Sequence, residues 1–205
     1  MIPKILHQIW IGPNKIPDHI KRYCEIASEK FHDYEYKFWT NDNIPHMPDL
    51  CVAQMARYEK RKQYALQADI LRYYLLNKYG GIYLDADFIC NKRFDVLIKK
   101  NFFCVNPNRN GFHVCNGVFA CLPQNPILSN LLCELRNEPT HGPILFTKYI
   151  AKFLKIPMRT SIINYLDNNE HEYVQCDGPE NFFRKNAYCY HDALKSWLPR
   201  TRGQK

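Results

Sequence analysis

Residues 63–89 read QYALQADILRYYLLNKYGGIYLDADFI: a helix-length segment, two glycines, and a short apolar run that ends in two carboxylates. The apolar spacing predicts a helix over 63–79. Gly80 is placed to stop it, because glycine takes the backbone conformations that end helices without steric cost. The segment 81–89 is then expected as one strand. Side chains alternate across a strand, so Tyr83, Asp85 and Asp87 would share one face, and Ile82, Leu84, Ala86 and Phe88 the other. The second face is wholly apolar and must meet a core.

Two carboxylates about 7 Å apart on one face repel each other unless a cation sits with them. Hard oxygen donors suit Mg²⁺ or Mn²⁺, above all where phosphate oxygens complete the shell. An ordinary structural reading is also open: one aspartate caps a loop and the other pairs with an arginine or lysine. The preceding helix bears on the choice. At about 100° per residue, Ala65, Ala68, Asp69, Arg72, Leu76 and Tyr79 fall on one arc, with Gln67 and Lys78 pointing away. Asp69 and Arg72 are therefore expected on the inward face. Burying ions costs several kcal/mol each unless they are paired. They form either an internal salt bridge at i, i+3 or the polar floor of a ligand site. In a site, Asp69 would accept from ribose hydroxyls and Arg72 would meet phosphate or Asp85.

Upstream, KILHQIWIG (4–12) reads as a strand closed by Gly12-Pro13, DHIKRYCEIASEKF (18–31) as a helix, and YEYKFWT (34–40) as a second strand. Asn41-Asp42-Asn43 is a loop or cap cluster. Downstream, FFCV (102–105) and VCNGVFAC (114–121) are strands, and Asn125-Pro126 is the cap and first turn of a helix over 126–136. A Pro-started helix follows at 142–154, then short strands at 172–176 and 187–191. Strands alternating with helices indicate an α/β fold with a largely parallel sheet. Such sheets bind ligands at the carboxyl ends of their strands. The first strand ends there with Gln8 and Trp10. Trp10 is either plain core or a stacking surface for a flat base.

The totals narrow the partners. The 205 residues suffice for one domain with a sizeable core, with 46% hydrophobic and 23% charged residues. Lys plus Arg exceed Asp plus Glu by 28 − 20, or +8, which favours a polyanionic partner such as a nucleotide or an anionic lipid surface. No signature of a nucleic-acid-binding module accompanies that charge, so nucleic acid is not expected. There is no signal-peptide pattern and no apolar stretch near the ~20 residues of a membrane span. Nine widely spaced cysteines without CxxC pairs suggest reduced thiols, hence a cytoplasmic setting, with peripheral membrane contact open.

Taken together, IPKILHQIWIG, WTNDN and ALQADILRYYLLNKYGGIYLDADF closely resemble the DXD-containing sugar-transferase family. That family includes yeast-type initiating mannosyltransferases of the outer chain, bacterial capsule and lipopolysaccharide transferases, and the core of the clostridial glucosylating toxins. The resemblance runs through about the first ninety residues. It implies a single GT-A domain over 1–205, Rossmann-like with helices flanking the sheet: 1–90 for nucleotide and metal, 91–205 for donor sugar and acceptor. The implied activity is metal-dependent, retaining transfer of a sugar from a nucleotide-diphosphate donor, UDP favoured over GDP, to a glycan, lipid-linked or protein acceptor.

By position, the resemblance implies that Trp10 stacks on the base, that Asp69 and Arg72 hold ribose, sugar or phosphate, and that Tyr83 lines the nucleotide pocket. Asp85 would contact ribose or sugar and, through water, the metal; Asp87 would be the direct ligand of Mn²⁺, with Mg²⁺ as a substitute. Asn116 and Gly117 would lie beside the donor sugar, and Gly142 and Pro143 on the acceptor side. His191 would be a second protein ligand to the metal, and Ser196 with Trp197 would close over the diphosphate. His7 is read as structural, and His141 is left unassigned. Two other classes compete: a GT-A-like binding module without turnover, and a haloacid-dehalogenase-type phosphatase. The phosphatase would need its DxD near the start of the domain and a later acidic pair.

Overall fold

The computed structural model describes residues 1–105, 114–137, 142–155, 171–174 and 188–191. The chain opens with β1 (Ile5–Ile9), α1 (Asp18–Lys30) and β2 (Glu35–Trp39). β1 and β2 pair in parallel from Ile5↔Glu35 to Ile9↔Trp39. Parallel neighbours need a crossover, and α1 supplies it, burying Ile20, Cys24 and Ala27 at helical spacing.

Two helices follow, α2 (Asp49–Lys60) and α3 (Tyr64–Tyr79). The α3 segment matches the helix expected over 63–79 to within one residue. Gly80 caps it with φ 65°, and its N–H is bonded to Leu76 O. A side chain at Gly80 would place Cβ 2.7 Å from Pro123 Cδ, so the position is closed to other residues by packing as well as by backbone. The sequence reading assigned no helix to 49–60. That omission corrects a second expectation, because Gln67 does not point to solvent. α2 covers that face of α3, and Gln67 is buried with its amide donating to Met55 O (3.0 Å).

The segment 81–89 is not one strand. β3 (Gly81–Leu84) ends before Asp85, the chain turns at Ala86–Asp87, and β4 (Phe88–Cys90) joins a separate two-stranded sheet. The Asp85 N–H is taken by Gly117 O (2.7 Å) and the Phe88 N–H closes the turn on Asp85 O (3.1 Å). The two carboxylates are thereby carried by a turn rather than into the sheet. After the 3₁₀ turn Leu97–Lys99 come β5 (Phe102–Val105), β6 (Cys115–Cys121), α4 (Pro126–Glu134), α5 (Pro143–Leu154), β7 (His171–Val174) and β8 (Cys189–His191). Asn125 caps α4 as expected, its side-chain oxygen accepting from Ile127 N–H (3.0 Å).

The main sheet has six strands in the order β2-β1-β3-β6-β5-β7, and β4 with β8 forms a separate two-stranded sheet. β1 runs parallel to β2 and β3, and β5 runs parallel to β7; β6 is antiparallel to β3 and β5. Both faces of the sheet are covered. Tyr83, Phe102, Cys104, Phe119 and Cys121 face the core built with α2, α3, α4 and α5. Ile82, Leu84, Phe103, Val118 and Ala120 face the other side, with Ala27, Phe31 and Phe94. Burial on both faces is why these strands read as near-continuous apolar runs.

Candidate active site

Asp85 and Asp87 sit where β3 ends, beside the carboxyl end of its parallel neighbour β1. Two side chains position Asp85. Tyr83 donates its hydroxyl to Asp85 Oδ1 (2.6 Å), and Arg72 approaches the same oxygen through Nη1 (3.1 Å). The Arg72 guanidinium lies 4.5 Å from the centre of the Tyr83 ring. Behind Asp85 is Gly117, where an added Cβ would stand 2.6 Å from Asp85 Oδ2. The Asp85 side chain keeps 26% of its surface exposed, whereas that of Arg72 keeps 7%.

Arg72 also anchors the layer beneath. Its Nη1 donates to Asn116 O (2.8 Å), and its Nη2 lies 3.4 Å from Asp69 Oδ1. Asn116 donates its amide to Asp69 Oδ1 (2.7 Å) and to the Tyr73 hydroxyl (2.8 Å). Tyr73 in turn donates to Gly142 O (3.2 Å), at the start of α5. So α3, β3, β6 and α5 are joined through one buried polar network. The two sequence alternatives for Asp69 and Arg72 meet here: the i, i+3 salt bridge exists, and the same arginine reaches Asp85.

Burial pushes the Asp69 carboxyl up to about 6, against the pull of Arg72. The guanidinium of Arg72 stays protonated, since Asp85 and the neighbouring groups outweigh its desolvation. The buried Arg72 guanidinium thus serves two carboxylates, Asp69 and Asp85. Two carboxylates on a turn are hard-oxygen donors of the kind that Mg²⁺ or Mn²⁺ takes together with phosphates. Among the described residues no group of three His, Cys, Asp or Glu could enclose a metal.

The remaining sequence candidates are placed as follows. Trp10, directly after β1, packs with Ala86, Ile20 and Cys24, its indole N–H donating to Asn14 O (2.9 Å). It flanks the DxD turn, and Ala86 belongs with this cluster rather than with Ile82 and Leu84 as strand alternation had implied. His191 pairs in register with Phe88, the residue after Asp87. Ser196, Trp197 and His141 lie outside the described residues. His7 is structural: Trp39 Nε1 donates to its Nδ1 (3.1 Å) and its Nε2 faces Gly80 O (3.1 Å), while burial pushes it down to about 4. Pro143 begins α5, and a Cβ on Gly142 would lie 3.2 Å from Asp69 Oδ2. The sequence reading missed Tyr73. Its signal was its position four residues after Asp69, on the same face of α3.

A groove of about 560 Å³ opens beside the Gly12-Pro13 turn, lined in part by Asn41, Met47, Met55, Tyr64 and Gln67. Asn41 fixes that turn from both sides, accepting from Gly12 N–H (3.0 Å) and donating to Gly12 O (2.8 Å).

The α/β sheet that carries the DxD turn has the GT-A fold, and solved structures share it. PaToxG glycosyltransferase shares the fold, with a TM-score of 0.62 at 21% identity over 75% of this chain and 70% of that one. Residues 17–103 match the family described as glycosyltransferase sugar-binding region containing DXD motif. An uncharacterized glycosyltransferase of Acanthamoeba polyphaga mimivirus is 30% identical over 214 residues, covering 97% of this chain and 85% of that protein. The chain belongs to the DXD-containing glycosyltransferase family. Inositol phosphoceramide mannosyltransferase 3 of Schizosaccharomyces pombe is 31% identical over 154 residues, 72% of this chain. This chain spans 42% of that fungal protein.

Proposed function

We propose that the chain transfers a sugar from a nucleotide-diphosphate donor, with UDP favoured over GDP, to a glycan, lipid-linked or protein acceptor. The observation that carries this reading is the fixed Asp85. Arg72 and Tyr83 hold its carboxylate at the end of β3, two residues before Asp87, and it is partly open to solvent. Such a constellation serves an anionic leaving group only through a cation. Asp87, with Asp85, would hold Mn²⁺, or Mg²⁺ in its place. When bound, the ion supplies an electrophile for the negative charge that develops on the departing diphosphate. Residue 191, in register beside the turn, is the proposed further ligand, and the stretch with Ser196 and Trp197 the proposed cover for the diphosphate.

The protein's own groups orient the donor. Trp10 would offer a ring next to Ala86 for the base, and the hydrogen-bonded pair Asp69 and Asn116 would lie beside the sugar. Arg72 pairs with Asp85 and fixes its carboxylate. The aspartates are not a glycosidase acid/base pair, because the leaving diphosphate needs charge stabilisation rather than a proton. Retention of configuration follows from the family resemblance. The first ninety residues would serve nucleotide and metal, and the remainder donor sugar and acceptor.

The name of the fungal relative favours a second reading of the substrates, a mannosyl donor and an inositol-phosphate ceramide acceptor. The net charge of +8 supports an acceptor at an anionic membrane surface, reached peripherally from the cytoplasmic side. No helix among the described residues is long and apolar enough to cross a membrane.

Release of free sugar from a panel of UDP- and GDP-sugars, with and without Mn²⁺, tests the proposal. Metal-dependent hydrolysis is expected, and Asp87→Ala should reduce it by at least about a hundredfold while the melting temperature stays close to wild type. Manganese-dependent turnover that survives in Asp87→Ala would remove Asp87 from the site.

A further inference from the structure

Cys90 and Cys189 stand directly opposite each other on the β4–β8 ladder. The next position along, Asn91 opposite Tyr188, is hydrogen-bonded (Asn91 N–H to Tyr188 O, 2.9 Å). Antiparallel ladders alternate, so the cysteine pair occupies a non-hydrogen-bonded position, where opposed Cα atoms lie about 4.5 Å apart. That spacing falls inside the ~4.4–6.8 Å range of disulfides, and directly opposed side chains share a face. Both thiols are reduced, buried and in the same apolar cluster as Phe88, Phe94 and Val118. Cys115 packs against that cluster from β6, but its sulfur accepts from Gly117 N–H (3.2 Å).

We propose that Cys90 and Cys189 form a reversible cross-strand disulfide that ties β8 to the strand leaving the DxD turn. The location gives such a bond leverage. β4 and β8 share a two-stranded ladder three residues long, and two strands alone are marginal in water. A bond between positions 90 and 189 closes a loop of roughly 100 residues, the case in which a cross-link restricts the unfolded chain most. If the site is that of the transferase proposed above, the tie also fixes the start of the segment that carries Ser196 and Trp197.

Burial keeps both thiols inert until β8 separates from β4, or until the chain folds around them. An exposed thiolate then attacks the sulfur–sulfur bond of a low-molecular-weight disulfide such as oxidised glutathione. A mixed disulfide forms and one thiol leaves. The second cysteine, as its thiolate, attacks the protein sulfur of the mixed disulfide and expels the second thiol. One S–S bond is broken in the oxidant and one is formed in the protein; two electrons and two protons pass to the oxidant.

The test refolds the full reduced chain in a glutathione redox buffer, blocks remaining thiols by alkylation, and maps peptides by mass spectrometry. The expected product is a linked pair of peptides carrying residues 90 and 189, separated again by dithiothreitol. The oxidised chain should melt roughly 5–10 °C above the reduced one. Cys90→Ser and Cys189→Ser should each lose both the linkage and the redox-dependent part of the melting shift. Alkylation of both positions in the oxidatively refolded wild type, or a linkage joining either to Cys115 instead, overturns the proposal. The wild-type peptide map decides even if a serine variant does not fold. It reads a bond rather than turnover, so it stands or falls separately from the transferase reading.

Discussion

Asp69 shows how one residue couples site and stability. Burial pushes its carboxyl up from the ordinary 3.8 to about 6 in the fold, against the pull of Arg72. Between those values the folded state holds more of the proton than the unfolded state, so this group's contribution to stability falls as pH rises from about 4 to about 6. His7 acts in the opposite sense. Its folded value of about 4 lies below the ordinary 6.5, so the unfolded chain binds more protons and stability is lost as pH falls through that window. The two slopes oppose each other in the wild type. Asp69→Asn removes one of them. Its stability relative to wild type should improve by roughly 2–3 kcal/mol between pH 4 and pH 6, measured by denaturant unfolding across that range. Gly117 is a second residue-scale case. Gly117→Ala brings a Cβ to 2.6 Å from Asp85 Oδ2, so the carboxylate must move off Arg72 and Tyr83. Donor turnover should fall at least about tenfold with KM for the metal raised, since misplacement on the scale of an ångström is costly in catalysis. Unchanged metal dependence in that variant would mean that Asp85 is not held by this contact.

At the scale of elements, local chemistry was readable where it was self-contained. The α3 helix was readable from its unbroken helix-length run and its Gly80 stop, and α4 from Asn125-Pro126. Asn125→Ala should destabilise the chain by about 1 kcal/mol, a drop of roughly 2–4 °C in melting temperature, because Ile127 N–H loses its capping acceptor. What was not readable depended on partners distant in sequence. The break between β3 and β4 follows from Gly117 O taking the Asp85 N–H and from β8 capturing β4 about a hundred residues later. Alternation along 81–89 carried no trace of either contact. Gln67 read as a solvent residue because only α2, packed against α3, supplies the buried acceptor at Met55 O. The Asp69–Arg72–Asp85 linkage was legible as a set of options, since helical geometry put the two ions inward. Only the fold decided that one arginine serves both carboxylates.

At the scale of the molecule, a sheet buried on both faces carries two carboxylates on a turn at the carboxyl end of its inner strand β3, above a floor in which Arg72 pairs with Asp69 and Asp85. The family membership is shown by the chain's match to the DXD-containing transferases, and the fold by the GT-A structure it shares. The central claim of the account is that this turn binds a nucleotide diphosphate together with a divalent metal. A melting series with UDP and GDP, each with and without Mn²⁺, tests it most directly. Ligand at a hundred times its Kd stabilises the native state by about 2.7 kcal/mol. The account predicts a rise of several degrees that requires nucleotide and metal together, is larger with UDP than with GDP, and vanishes in Asp87→Ala. Absence of any shift with every nucleotide–metal pair would contradict it.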